Sequence, residues 1–175
     1  MSRPEDLNVN VQHTSPSFLV KKANNEFRLV TSFVELNKFI LPLPSKMSTT
    51  SDVIRDLGTW KYIIKSDLKS AYFQIPVTKE SQKWLGTNSP YKGMYVYNRA
   101  PMGLRNMAEY LEEVVARVLG DFISEGIMTK ISDDIIIGAN SVEGLISNWD
   151  HILNRMQQNG LCISPDKTII CPKSI

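Results

Sequence analysis

Apolar positions along the chain follow two periods. From 107 to 124, Met107, Leu111, Val114, Val115, Val118, Leu119 and Phe122 recur at three- and four-residue spacing, with charges between them. That spacing places them on one face of a helix. From 142 to 158, Leu145, Ile146, Trp149, Ile152, Leu153 and Met156 do the same. Gly160 then supplies a residue suited to closing a helix. Both segments are expected to cover a core and carry no chemistry; His151 falls on the polar side and His13 has no assignment. The other period is extended. Ser17 to Lys22 and Glu26 to Thr31 predict a hairpin turning at Asn24-Asn25, since Asn tolerates positive φ. Met94 to Arg99 alternates and predicts a half-buried strand. Tyr62-Ile63-Ile64 predicts a strand ending at Asp67. Gly126 to Lys130 and Ile135 to Gly138 flank the polar corner Ile131-Ser132-Asp133-Asp134 and predict a second hairpin. Ile40 to Pro44 must be extended around its prolines. A short helix is expected from Thr50 or Ser51 to Leu57, closed by Gly58. Residues 1–16 show no period and are expected to trail along the surface.

The second hairpin changes the picture, because its corner holds adjacent carboxylates. Asp133 and Asp134 repel each other unless a cation is near. Asp-Asp is also ordinary turn chemistry. Asp67 shifts the balance: if its strand neighbours the hairpin, a carboxylate cluster forms. Hard oxygen donors suit Mg²⁺, which takes one or two carboxylates together with substrate phosphates. Two such ions roughly 3.5–4 Å apart clamp the attacking and leaving oxygens of a phosphoryl transfer.

Phe27-Arg28-Leu29-Val30, Phe33 to Lys38, Asp67 to Pro76, Pro101-Met102-Gly103-Leu104 and Ser132-Asp133-Asp134 occur in that order. In these motifs the chain, from about Ser15 to Lys173, resembles the fingers and palm of a reverse transcriptase of the long-terminal-repeat retrotransposon kind. The resemblance implies an α+β fold: an antiparallel palm sheet backed by helices 107–124 and 142–158, with partial fingers. Residues 1–16 would be an extension, 17–60 and 77–105 fingers-like, 61–76 and 106–175 palm. The implied reaction is attack of a primer 3′-hydroxyl on a deoxynucleoside triphosphate (dNTP), directed by an RNA or DNA template. Two Mg²⁺, for which Mn²⁺ can stand in, would be held by Asp67 and Asp133, with Asp134 in support and the Leu68 carbonyl completing one shell. Lys21 or Lys22, with Arg28, would hold the triphosphate. Tyr72 would sit under the deoxyribose and exclude a 2′-hydroxyl, leaving Phe73 to the core. Met102 and Gly103 would meet the base and template. Lys167 would protonate the leaving pyrophosphate. Ser32 and Val34 replace an Asp and an Arg often found around Phe33 in the family, and Ile131 replaces its usual aromatic. In the family a primer-gripping hairpin, a thumb and commonly a ribonuclease H follow; the chain stops at Ile175 before them. A fragment with little activity alone, belonging to a longer polyprotein, is therefore expected.

Composition adds bounds. With 175 residues the chain suits one domain with a real core. A net charge of +2 does not announce a nucleic-acid binder. Lys61, Lys65 and Lys69 flank Asp67 and read first as solvated charges. No run of eighteen apolar residues predicts a membrane span. The polar N-terminus lacks a signal core, so a cytosolic or nuclear setting is expected. There, Cys162 and Cys171 are expected as buried free thiols. A non-catalytic nucleic-acid-binding or assembly module derived from such an enzyme is the rival reading. An unrelated two-metal nuclease, which needs no nucleotide pocket, is the third.

Overall fold

A computed structural model describes residues 1–23, 25–44, 50–89 and 92–172. In chain order its elements are α1 (Pro4–Leu7), β1 (Thr14–Ser15), β2 (Ser17–Lys21), β3 (Phe27–Thr31), α2 (Val34–Asn37), α3 (Thr50–Leu57), β4 (Tyr62–Asp67), a 3₁₀ turn (Ala71–Gln74), α4 (Lys79–Gln82), β5 (Gly86–Ser89), β6 (Gly93–Val96), α5 (Met107–Ser124), β7 (Met128–Ile131), β8 (Asp134–Ala139), α6 (Val142–Gln158), a second 3₁₀ turn (Pro165–Lys167) and β9 (Ile169–Ile170). They form two compact units, Met1–Leu43 with Ile75–Met107, and Pro44–Gln74 with Ala108–Ile175.

In the first unit, β2 and β3 pair antiparallel, Leu19 against Leu29 and Lys21 against Phe27. This is the expected first hairpin. Asn25 has φ 62°, while Asn24 lies outside the described residues. A small core of Phe33, Leu85 and Tyr97 supports it, the Phe33 and Tyr97 rings meeting edge to face at 5.8 Å. Tyr97 keeps its hydroxyl satisfied by a 2.8 Å bond with Thr31. Residues 1–16 do not trail. β1 pairs parallel with β5, and the Ser2 backbone bonds to Val96. Gly86 makes this packing fit, since a Cβ there would stand 2.7 Å from the His13 carbonyl and 2.6 Å from Val11. No periodicity could announce so short a strand.

The second unit is built on a sheet in the order β7-β8-β4-β9. Its pairs are all antiparallel. Ile135, Ile136 and Ile137 are all fully buried. Successive strand residues face opposite ways, so β8 is covered on both sides. α6 packs on β8 and β4, and α3 on β7. Arg155 of α6 donates to the Val118 carbonyl and pairs with Asp121, which ties α6 to α5. Both long helices span the expected residues. Ser141 caps α6 by accepting from the Gly144 N–H at 3.0 Å, and the left-handed Gly160 follows its end. Several side chains depart from expectation. Ile146 and Phe73 are exposed, not core. Cys162 and Cys171 are free, as expected, but exposed; they lie on the segment that runs along β4 at the sheet edge, Cys171 donating to the Ile63 carbonyl. Among the described residues no helix is long and apolar enough to cross a membrane.

Candidate active site

β4 ends where its apolar run gives way to Asp67, and the register sets Asp67 opposite Asp134 of β8. Ile131 pairs with Asp134, so Ser132 and Asp133 alone make the turn between β7 and β8. Such a turn needs a positive φ at its first corner position. Ser132 adopts it, at 53°, without being glycine. The Leu68 N–H donates to the Asp133 carbonyl at 3.0 Å, which lashes the turn to the end of β4. On the other side, the Ser164 N–H donates to the Asp67 carbonyl at 2.8 Å and Lys69 N–H to Cys162 at 3.0 Å. Gln74 braces this third arm. Its amide donates to the Cys162 and Lys69 carbonyls, at 2.8 and 2.6 Å, and accepts from the Cys162 N–H at 2.7 Å.

The carboxylates therefore share one end of the sheet but differ in their surroundings. Asp67 accepts from the Lys167 ammonium at 2.7 Å and, more weakly, from the Ser164 hydroxyl at 3.4 Å. Asp134 pairs with Lys65 at 2.8 Å. Lys65 is thus not the solvated lysine its sequence context suggested. Asp133 has neither arrangement: its Oδ1 is buried with no hydrogen-bond partner. Burial first, and then the charge of Asp67, push the Asp133 carboxyl above the usual range, with Asp134 adding to them; Lys130 and Lys167 oppose them. The bond to Asp67 holds the exposed Lys167 above the usual lysine range. Tyr72, half-buried in the 3₁₀ turn after β4, has its phenol raised by burial first, then by Asp133, Glu109 and Glu112. Its ring consequently lies in the field of Asp133.

These residues meet one test for a divalent cation. A buried acceptor without a partner is costly, and Asp133 Oδ1 is such an acceptor, beside a second carboxylate. Hard oxygens of this kind suit Mg²⁺ or Mn²⁺. The set is small, however. No group of three or more His, Cys, Asp or Glu side chains among the described residues is arranged to hold a metal, and Asp134 pairs with Lys65.

The remaining candidates belong to the first unit. Lys21 and Arg28 are exposed on the β2–β3 hairpin, and Lys22 pairs with Glu26 at 2.9 Å. Gly103 has φ +88°, a conformation open to glycine, and its carbonyl accepts from the Asn37 amide at 2.9 Å. Met102 beside it is exposed. Sequence reasoning missed Gln74, Ser164 and the buried pair of Glu112 with Lys130. Only Lys130, a lysine within a strand expected from its β-branched run, carried a signal: if buried, it demands a counter-charge.

A family profile described as "Reverse transcriptase (RNA-dependent DNA polymerase)" matches residues 13–175. A retrovirus-related Pol polyprotein from the gypsy transposon of Drosophila melanogaster is 28% identical over 93% of the chain. A Gag-Pro-Pol polyprotein of squirrel monkey retrovirus is 26% identical over 87% of it. The chain spans only 16% and 9% of those relatives. Among solved structures, the foamy viral protease-reverse transcriptase in complex with RNA/DNA hybrid superposes with a TM-score of 0.82 at 19% identity, covering 95% of this chain and 22% of that one. The prototype foamy virus protease-reverse transcriptase gives 0.81 at 21%, with 94% and 22% covered.

Proposed function

The chain belongs to the reverse transcriptase (RNA-dependent DNA polymerase) family, and we propose that it forms the fingers and palm of a retroelement polymerase that copies an RNA or DNA template from dNTPs. The observation that carries this reading is the pairing of Asp67 with the Asp133 turn, where a buried carboxylate oxygen has no partner. Asp67 and Asp133 would hold Mg²⁺ or Mn²⁺, with the Leu68 carbonyl as a further donor. When bound, such ions activate a 3′-hydroxyl and stabilise a leaving pyrophosphate.

The protein's own groups set the rest. Asp134, tied to Lys65, supports the turn and lends negative charge. Lys167 is a cation already within bonding distance of Asp67. It can turn its proton-bearing ammonium to a phosphate oxygen in exchange for the carboxylate, as a general acid requires. Tyr72 limits the space beside Asp133 and selects deoxyribose over ribose by shape. Lys21, Lys22 and Arg28 are assigned to the triphosphate, where the guanidinium fork of Arg28 can bind phosphate oxygens in pairs. Met102 and Gly103 are assigned to the base. Fingers-like segments 17–60 and 77–105 and palm segments 61–76 and 106–175 are the division we adopt. A thumb and ribonuclease H from a longer polyprotein are the proposed partners.

The test is primer extension on an RNA template, with this chain carried in a longer polypeptide that supplies the thumb. Template-dependent products that disappear in Asp67→Asn and Asp133→Asn support the assignment; equal yield from the variants would refute the carboxylate pair. Tyr72→Ala should raise ribonucleotide incorporation relative to deoxynucleotide, and an unchanged ratio would return Tyr72 to a structural role. The second reading, a nucleic-acid-binding or assembly module without catalysis, draws on the ion pairs that engage Asp67 and Asp134. Duplex binding without extension, and without Mn²⁺ binding, would favour it.

A further inference from the structure

Beneath the Asp133 turn lies a buried ion pair that the proposed chemistry does not use. Lys130 of β7 and Glu112 of α5 bond directly, with side chains only 5% and 15% exposed. Such a pair is not in itself a source of stability, because desolvation of both charges offsets their attraction. Its location is informative. Lys130 lies three residues before Asp133 and opposite Ile135, at the base of the turn. The charges of Lys130 and Lys167 oppose the upward shift of the Asp133 carboxyl. Each is bonded elsewhere, Lys167 to Asp67 and Lys130 to Glu112. Asp133 Oδ1 is left buried and unpartnered although Lys130 stands at the base of the same turn. A buried ammonium shut off from water takes whichever carboxylate it can reach.

We propose that Glu112 is a positioning residue: by holding the Lys130 ammonium on the α5 side, it keeps the Asp133 oxygen free for a divalent cation. The inference rests on the metal-binding reading of Asp133. In Glu112→Gln the amide no longer offsets the charge of Lys130, and the ammonium turns to Asp133. A metal ion must then displace it. Removing Lys130 as well removes the competitor, so the double variant regains the site.

The experiment is Mn²⁺ titration, followed by electron paramagnetic resonance of the free ion, on the full 175-residue chain. Thermal melting of each variant is recorded alongside. Glu112→Gln should weaken Mn²⁺ binding roughly 10–100-fold, the range seen when groups behind a metal ligand are changed. Glu112→Gln with Lys130→Gln should recover most of that loss. Lys130→Gln alone should bind Mn²⁺ at least as tightly as wild type, which keeps the idea testable if Glu112→Gln does not fold. A merely structural pair would lower the melting temperature of the single variants without changing Mn²⁺ affinity in the folded protein. That outcome, or weaker binding in Lys130→Gln, would overturn the inference. Binding that is lost in Asp133→Asn yet unchanged in Glu112→Gln would overturn it while leaving the metal site standing. No Mn²⁺ binding by wild type would overturn both.

Discussion

Replacing Gly138 with alanine tests how tightly the sheet behind the carboxylates is built. Gly138 lies on β8, four residues after Asp134. A Cβ added there would stand 1.9 to 2.3 Å from three ring atoms of Trp60. Its φ lies outside the left-handed region, so alanine meets a steric obstacle and no backbone strain. The strand has little freedom to retreat. Gly138 N–H donates to Ile127 at 3.0 Å, its carbonyl accepts from Asn148 at 3.0 Å, and β4 pairs with it through Ile63. The indole must therefore move, although its N–H donates to the Gly126 carbonyl at 2.9 Å. Forcing extra volume into a packed site costs about 1–3 kcal/mol. Losing the indole hydrogen bond adds about 0.5–1.5 kcal/mol. Alanine returns only about 0.4–1 kcal/mol by restricting the unfolded chain. The net expectation is destabilisation by about 0.5–4 kcal/mol, read as a lower urea midpoint at unchanged slope. In a Trp60→Ala background the same change should become neutral or stabilising, because its obstacle is gone. Equal urea midpoints for wild type and Gly138→Ala, or the same loss in both backgrounds, would refute the reasoning.

Asp133→Asn should raise the melting temperature of the metal-free protein at neutral pH. The folded-state carboxyl sits above its ordinary value, so the ionised group opposes folding once pH exceeds that ordinary value. The difference between variant and wild type should shrink as pH falls through the raised value toward the ordinary carboxylate range; a pH-independent difference would count against it. Ser132→Gly should be neutral to stabilising by up to about 1 kcal/mol in urea unfolding, since glycine relieves the positive φ but adds unfolded-state freedom. A clear loss of stability would mean that the serine side chain makes an unrecognised contribution.

The sequence by itself determined the elements whose signal is local and periodic. Helices 107–124 and 142–158 follow from repeated apolar spacing, and each appears with those bounds. The hairpin around Asp133 follows from β-branched runs on either side of a polar corner, and the motif order carried the family. Only the tertiary structure decided what each charged group pairs with, because an ion pair depends on which side chains the sheet register brings side by side. Lys65 reads as a solvated lysine until β4 lies against β8, where it reaches Asp134. Lys130 is buried on β7 and meets Glu112 of α5, eighteen residues earlier in the chain. The same holds for steric fit: in sequence Gly138 is only the last residue of an apolar run, and its reason is the indole of Trp60, seventy-eight residues away. Periodicity reports which face of an element is apolar; it carries no information about the partner across a long loop. Among the described residues, Asp133 is the carboxylate left with an unpartnered buried oxygen.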